Sequence, residues 1–172
     1  MTRYAIAFDA SYGCLAWALT DGKKILHRGW KRFPAKIRTF CGIRQFLDDS
    51  ILPILPRPLT LVSAAIEQPE IHQVSRHGSN EAVEQCVGFV ACWCATYELE
   101  AKLIRVNTWR AHYKRVSGGA KTREEWLAAA PRIARSLLPG SMDGVPDSVA
   151  SDVAMANLIS LFHFDDRKSV AD

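Results

Sequence analysis

Two stretches of this chain share one pattern: an apolar run of strand length that ends in a carboxylate. Tyr4 to Phe8 leads into Asp9, and Leu59 to Ile66 (LTLVSAAI) leads into Glu67-Gln68-Pro69. Short, almost uninterrupted apolar runs read as strands covered on both faces, as in the parallel sheet of an α/β domain. In open sheets of that kind ligands collect at the carboxyl ends of the strands. Asp9 and Glu67 are thereby candidates for one site, although an Asp among small residues also commonly stabilises a turn, and a strand-end Glu is commonly just solvated.

The segments between these runs complete an α/β pattern. Ala10, Ser11 and Gly13 beside Asp9 permit close approach of backbone and ligand. Cys14 to Leu19 reads as a second strand, and Thr20-Asp21-Gly22 turns the chain into a third run, Lys23 to Phe33, giving a three-stranded meander. From Pro34 to Leu52 the apolar spacing predicts an amphipathic helix, ended by Pro53, Pro56 and Pro58. Glu70 to Ser79 is polar and reads as a surface loop. Asn80 is the expected N-cap of a helix to about Glu100, with Glu81 and Glu84 in its first turns. Val83, Val87, Val90, Ala91 and Cys94 form one stripe of that helix, and Cys86, Phe89, Trp93 and Tyr97 widen it beyond a single face. One side can cover the sheet; the other meets a second subunit or is internal. Lys102 to Val106 is a further strand, Trp109 to Lys121 a basic loop containing Ser117-Gly118-Gly119, and Glu124 to about Leu138 a helix interrupted by Pro131. Asp147 to Phe164 forms the last helix. Residues 1–164 are expected to form one domain and 165–172 a frayed tail.

Composition narrows the class. At 172 residues, 48% hydrophobic and 23% charged, the chain suits one ordinary globular domain. No signal-peptide pattern or membrane-spanning apolar run is visible, and five cysteines lie mostly in apolar segments. A cytosolic protein with reduced thiols is expected, without a membrane partner. Cys92 and Cys94 do not suggest zinc, because residues two apart on a helix point in different directions. The net charge of +4 is unevenly spread. Lys23, Lys24, Arg28, Lys31, Arg32, Lys36 and Arg38 fall between Gly22 and Leu47, a window without an acidic residue. Lys102, Arg105, Arg110, Lys114, Arg115, Lys121 and Arg123 fall in a second such window. Such windows are solvated faces or the footprint of a polyphosphate. Trp30, Trp109, His112 and Tyr113 lie among these charges, as stacking platforms or as core anchors.

A third acid joins the first two through helical geometry. Asp152 shares a stripe with Val149, Met155, Ala156 and Ile159, at spacings of three, four and seven. A carboxylate on a core-facing stripe is costly unless donors or a cation satisfy it. Gathered carboxylates repel one another, and Mg²⁺ or Mn²⁺ resolves that repulsion. Two such ions can activate water and stabilise the leaving oxygen in phosphodiester hydrolysis. With the basic windows, the residues point to a nuclease.

In chain order, the motifs are AFDASYGCLAWAL, AAIEQP, VNTWR, GGAKTREEW and SDVAMANLI. This succession resembles the RuvC-type Holliday junction resolvases, most closely their phage and bacterial variants, from Tyr4 to about Phe162. The resemblance implies a ribonuclease H-like fold, a homodimer and two divalent ions per active site. It implies metal-binding carboxylates at Asp9, Glu67 and Asp152, and a catalytic or phosphate-contacting Lys121. One departure stands out: the family often carries a second carboxylate one turn before the last Asp, where this chain has Val149. Asp147 lies two residues earlier and is the candidate substitute.

The expectation is therefore an α/β domain with a mixed five-stranded sheet, three antiparallel strands followed by two parallel ones, flanked by helices. Its expected function is metal-dependent cleavage of branched DNA, with Arg76, Arg110, Lys114, Arg115, Lys121 and Arg123 on the DNA. The alternatives are a ribonuclease H-like nuclease or integrase on another nucleic acid, and a junction-binding protein without catalysis. An actin-like kinase needs a second lobe for which 172 residues leave no room.

Overall fold

The computed structural model describes residues 3–11, 13–33, 40–68 and 77–171, with side chains described except at 40, 77–80 and 167–171. Strands β1 (Tyr4–Ser11), β2 (Cys14–Thr20), β3 (Ile25–Arg32), β4 (Val62–Gln68) and β5 (Glu100–Arg105) form one sheet in the order β3-β2-β1-β4-β5. β1, β2 and β3 pair antiparallel, and β1-β4 and β4-β5 pair parallel, so the expected mixed sheet is observed.

Helices cover both faces, and side-chain size decides which helix lies where. Ile6, Phe8, Leu15, Trp17, Leu19, Ala64 and Ile66 point to α1 (Phe40–Phe46) and α2 (His77–Thr96). Their alternate neighbours are small. Ala7, Cys14, Ala16, Ala18 and Ala65 face the other layer, built from α3 (Val106–His112), α4 (Arg123–Leu137) and α5 (Ala150–Ala171). A strand face of alanines lets α5 lie close on β1 and β2, while α4 covers its back. Two cores result, one on each side of the sheet.

Several element boundaries differ from the sequence reading. The predicted 34–52 helix is described only from Phe40; after Phe46 it widens into a π turn, Leu47–Ile51, and then a 3₁₀ turn, Leu52–Ile54. α2 already contains Asn80, which is therefore not its cap. The chain leaves β5 at Arg105, and Val106 to His112 are helical, so the expected basic loop begins later and Trp109 is fully buried. Pro131 lies within α4 without ending it; the helix is opened by a reciprocal capping box between Thr122 and Glu125. α5 continues to Ala171 through residues expected as a tail, and Asp166 ion-pairs with Lys102 at 2.7 Å. At the turn before β3, Gly22 adopts φ +81°, a conformation suited to glycine, and a Cβ there would collide with the Phe164 ring. No disulfide joins any of the five cysteines. Among the described residues no helix is long and apolar enough to cross a membrane.

Candidate active site

The small-residue face of the sheet carries the acids. Asp9 does not stand in the turn; it lies within β1, opposite Ala16 of β2, and is 2% exposed. Parallel pairing of β1 with β4 sets Phe8 beside Ile66, so the next residue of each strand, Asp9 and Glu67, are neighbours with side chains on the α5 face. Two carboxylates meet there, from opposite halves of the chain. Glu67 is buried and accepts a hydrogen bond from Trp109 Nε1 on Oε1 at 2.8 Å.

Burial pushes the Asp9 carboxyl well above its usual range; the Glu67 charge and hydrogen bond, and then the Asp152 charge, push the same way, against the Arg110 guanidinium. Burial first, and the neighbouring Glu67 second, thus make the Asp9 carboxyl bind its proton more tightly than an exposed carboxyl does. Asp9 Oδ2 is buried with no hydrogen-bond partner. Asp152, half-buried near the start of α5, also has its carboxyl raised by burial, opposed by hydrogen bonds to Cys14 and Ser11 and by the charges of Arg123 and Arg32. The same surroundings act on Cys14: burial, Asp152 and Asp9 push its thiol up to about 12, so it stays protonated and serves as a donor.

The cations around the acids are held by packing. Arg110 lies over the rings of Trp109 and Trp126, at 5.5 and 5.8 Å, and the two indoles meet edge-on at 5.5 Å. That stack presents the guanidinium to the Asp9 side. Its Nε is buried without a partner. Lys121 is exposed just ahead of α4, where its backbone N–H donates to Glu125. Arg123, two residues on, is the α4 residue whose charge reaches Asp152. Lys114 and Arg115 are exposed in the turn after α3, and Arg76 lies outside the described residues.

Asp147 is exposed as the first residue of a 3₁₀ turn, Asp147–Val149, and Val149 is buried in the core beneath α5. At the position where the resemblance leads one to expect a further acid, the chain thus has a packing residue. Asp9 and Glu67 present hard oxygen donors, one of them orphaned, which is the chemistry a divalent cation relieves. The expected convergence of three acids is looser than a preformed centre: among the described residues no group of three His, Cys, Asp or Glu stands ready to hold a metal. Asp152 is instead engaged by Cys14 and Ser11. Ser11, Cys14, Arg32 and the donor role of Trp109 were not read from the sequence. For the first three the signal is strand alternation, since Ser11, Cys14 and Arg32 form one cross-strand row.

No family model and no curated protein matches the chain by sequence. Solved structures do match it in shape. Thermus thermophilus RuvC in complex with Holliday junction substrate superposes with a TM-score of 0.70 over 97% of this chain and 96% of that one, at 16% identity. A second Thermus thermophilus RuvC structure gives 0.68 over 96% of each chain, also at 16% identity. The chain shares the fold of these two structures along nearly its whole length, a mixed five-stranded sheet flanked by helices of the ribonuclease H-like kind.

Proposed function

We propose that this chain is a metal-dependent endonuclease that cleaves phosphodiester bonds in branched DNA and resolves four-way junctions. The observation that carries this reading is the meeting of Asp9 and Glu67 on the sheet face covered by α5, with Asp152 on α5 and the charges of Arg110, Arg123 and Arg32 around them. The fold shared with RuvC supports it. Asp9 and Glu67 would hold Mg²⁺ or Mn²⁺, with Asp152 beside them, and two ions per site follow from the resemblance. Bound there, the metal supplies activation of water and neutralisation of charge on the phosphate and the leaving oxygen.

The chain's own residues set the conditions for that chemistry. Trp109 fixes the Glu67 carboxylate by its N–H, and Cys14 and Ser11 fix Asp152. Arg110, braced by two indoles, lowers the proton affinity of Asp9 and so favours the ionised form that a cation requires. Lys121, Arg123, Lys114 and Arg115 lie exposed where a phosphate backbone would be neutralised, with Lys121 acting on the scissile phosphate. Asp147 is the reserve ligand for a second ion.

A homodimer through α2 completes the reading, presenting two sites to symmetry-related strands. Its outward side carries exposed Gly88, Cys92 and Ala95, with open space above Gly88. Leu103 is 51% exposed on the neighbouring edge strand β5. Five cysteines without a disulfide fit a cytosolic place of action. Val149 in the place of an acid favours one other reading, a junction-binding protein without catalysis.

Cleavage of a labelled four-way junction in Mg²⁺ or Mn²⁺, beside duplex, flap and RNA/DNA hybrid, tests these readings with wild type and Asp9→Asn. Paired nicks that vanish in Asp9→Asn are the expected result. Tight binding without nicks establishes the binding protein, and preference for the hybrid or flap refutes the substrate.

A further inference from the structure

Edge strand β3 carries a second feature on the same face as the acids. In a strand, side chains two residues apart share a face and stand about 6.7 Å apart. Arg28, Trp30 and Arg32 are such a series, opposite Ala18, Ala16 and Cys14 of β2. Ala16 in turn stands opposite Asp9, so Asp9, Ala16 and Trp30 form one row, with Trp30 about 10 Å from Asp9 across two strand spacings.

We propose that Arg28, Trp30 and Arg32 form a track that leads one strand of a branched DNA away from the carboxylates, with Trp30 stacked on a base and the arginines on flanking phosphates. This inference rests on the endonuclease reading above and adds the path of the substrate beyond the cut.

Trp30 is the tryptophan available for such a contact. It is 37% exposed, whereas Trp17, Trp93, Trp109 and Trp126 are 9% exposed or less and belong to the cores. A large aromatic left on an edge strand, in a window rich in cations and without an acid from Gly22 to Leu47, has the composition of a nucleic-acid surface. Both arginines are already oriented. Arg28 donates from one terminal nitrogen to the carbonyl of Asp143, and Arg32 to that of Ser148 at 3.1 Å. A guanidinium has five N–H donors, so each keeps others for a phosphate. Arg32 marks the end nearest the site, since its charge acts on Asp152 and Cys14. Residues at strand spacing advance by steps comparable to an extended nucleotide, which suits arginine, aromatic and arginine to phosphate, base and phosphate.

The test compares wild type with Trp30→Leu, Trp30→Phe and the double variant Arg28→Gln/Arg32→Gln, as full chains. Fluorescence anisotropy on a labelled four-way junction is read across a salt series, with thermal melts as the control for folding. Trp30→Leu is expected to weaken binding about tenfold and Trp30→Phe to recover most of it. The double variant should flatten the slope of log affinity against log salt by about 1.4–1.8, the two phosphates it no longer neutralises. A purely structural role, clasping the segment before α5, would lower the melting temperature and leave that slope unchanged. If Trp30→Leu fails to fold, the wild-type minus Trp30→Phe emission must be quenched by the junction. Wild-type cleavage together with undiminished junction binding by a folded Trp30→Leu, or no quenching, overturns the track alone. A wild type that binds no junction overturns the endonuclease reading and the track with it.

Discussion

Replacing Asp9 by Asn should abolish cleavage and at the same time stabilise the protein. Asp9 is buried next to Glu67, and both are acids, so the native fold holds a pair that cannot ionise without repulsion. Two unit charges about 4 Å apart repel by about 4 kcal/mol at an effective dielectric of 20. A proton retained on the pair already relieves part of this, which leaves about 2 kcal/mol for the amide to recover. For a chain of this size that corresponds to roughly 4–8 °C in melting temperature. The pH dependence fixes the sign. The folded carboxyl of Asp9 lies above its ordinary value of 3.8, so the native state binds the proton more readily than the unfolded one. Wild-type stability therefore falls as pH rises from about 4 through the raised folded value, and the advantage of Asp9→Asn grows over that window and vanishes below it. Denaturant melts at about pH 4, 6 and 8 in EDTA measure this directly. If Asp9→Asn is less stable than wild type at pH 8, or if its advantage is the same at all three, the account of a repelling buried pair is wrong. Adding Mg²⁺ should raise the wild-type midpoint and leave that of Asp9→Asn nearly unmoved.

Trp109→Phe keeps an aromatic ring against Tyr113 and Trp126 but removes the donor to Glu67. A cost of about 1.5–3 kcal/mol is expected for the bond to a carboxylate, read as a lower urea midpoint with an unchanged m-value, and a shift under 0.5 kcal/mol would refute it. Val149→Asp, which supplies the acid missing before Asp152, should not improve cleavage. It puts an unpaired charge at a position 2% exposed and should cost about 3–5 kcal/mol, visible as early melting at pH 7. Asp48 accepts hydrogen bonds from Trp93 Nε1 and Tyr97 Oη, both at 2.8 Å, and these bonds, Trp93 first, hold its carboxyl below the usual range. Asp48→Ala should cost about 1–2 kcal/mol at pH 7, allowing for its partial exposure, and clearly less once acid protonates the wild-type carboxyl below its depressed value, because a neutral carboxyl accepts the two bonds more weakly. An equal difference at pH 7 and about pH 2 would contradict that origin.

The sequence carried the sheet and the acids further than it carried the surroundings of the acids. The strands were legible because β1, β2 and β4 are buried on both faces, and the order of three antiparallel and two parallel strands is the one observed. The core-facing stripe that carries Asp152 was legible, and Val149, Met155, Ala156 and Ile159 on it are all buried. The helix beginning at Val106 was not, because KLIRV followed by a basic stretch has no helical period, and the burial of Trp109 against Trp126 decides the matter through tertiary packing. The ring of Ser11, Cys14, Arg32 and Arg110 around the acids depends on cross-strand register and on which side of a stacked indole a guanidinium falls. Neither is written in local spacing.

The acids come from strand β1 near the start of the chain, strand β4 in its middle and helix α5 near its end. The local hairpins of β1, β2 and β3 can form early, yet they contain Asp9 alone, and the parallel pairing of β1 with β4 closes a long loop and is slow to form. A chain still emerging from the ribosome, or cut short anywhere before residue 150, holds at most two of the three carboxylates. The proposed site therefore cannot exist in any local hairpin or fragment: it waits on the long-range pairing of β1 with β4 and on the docking of α5 against β1 and β2.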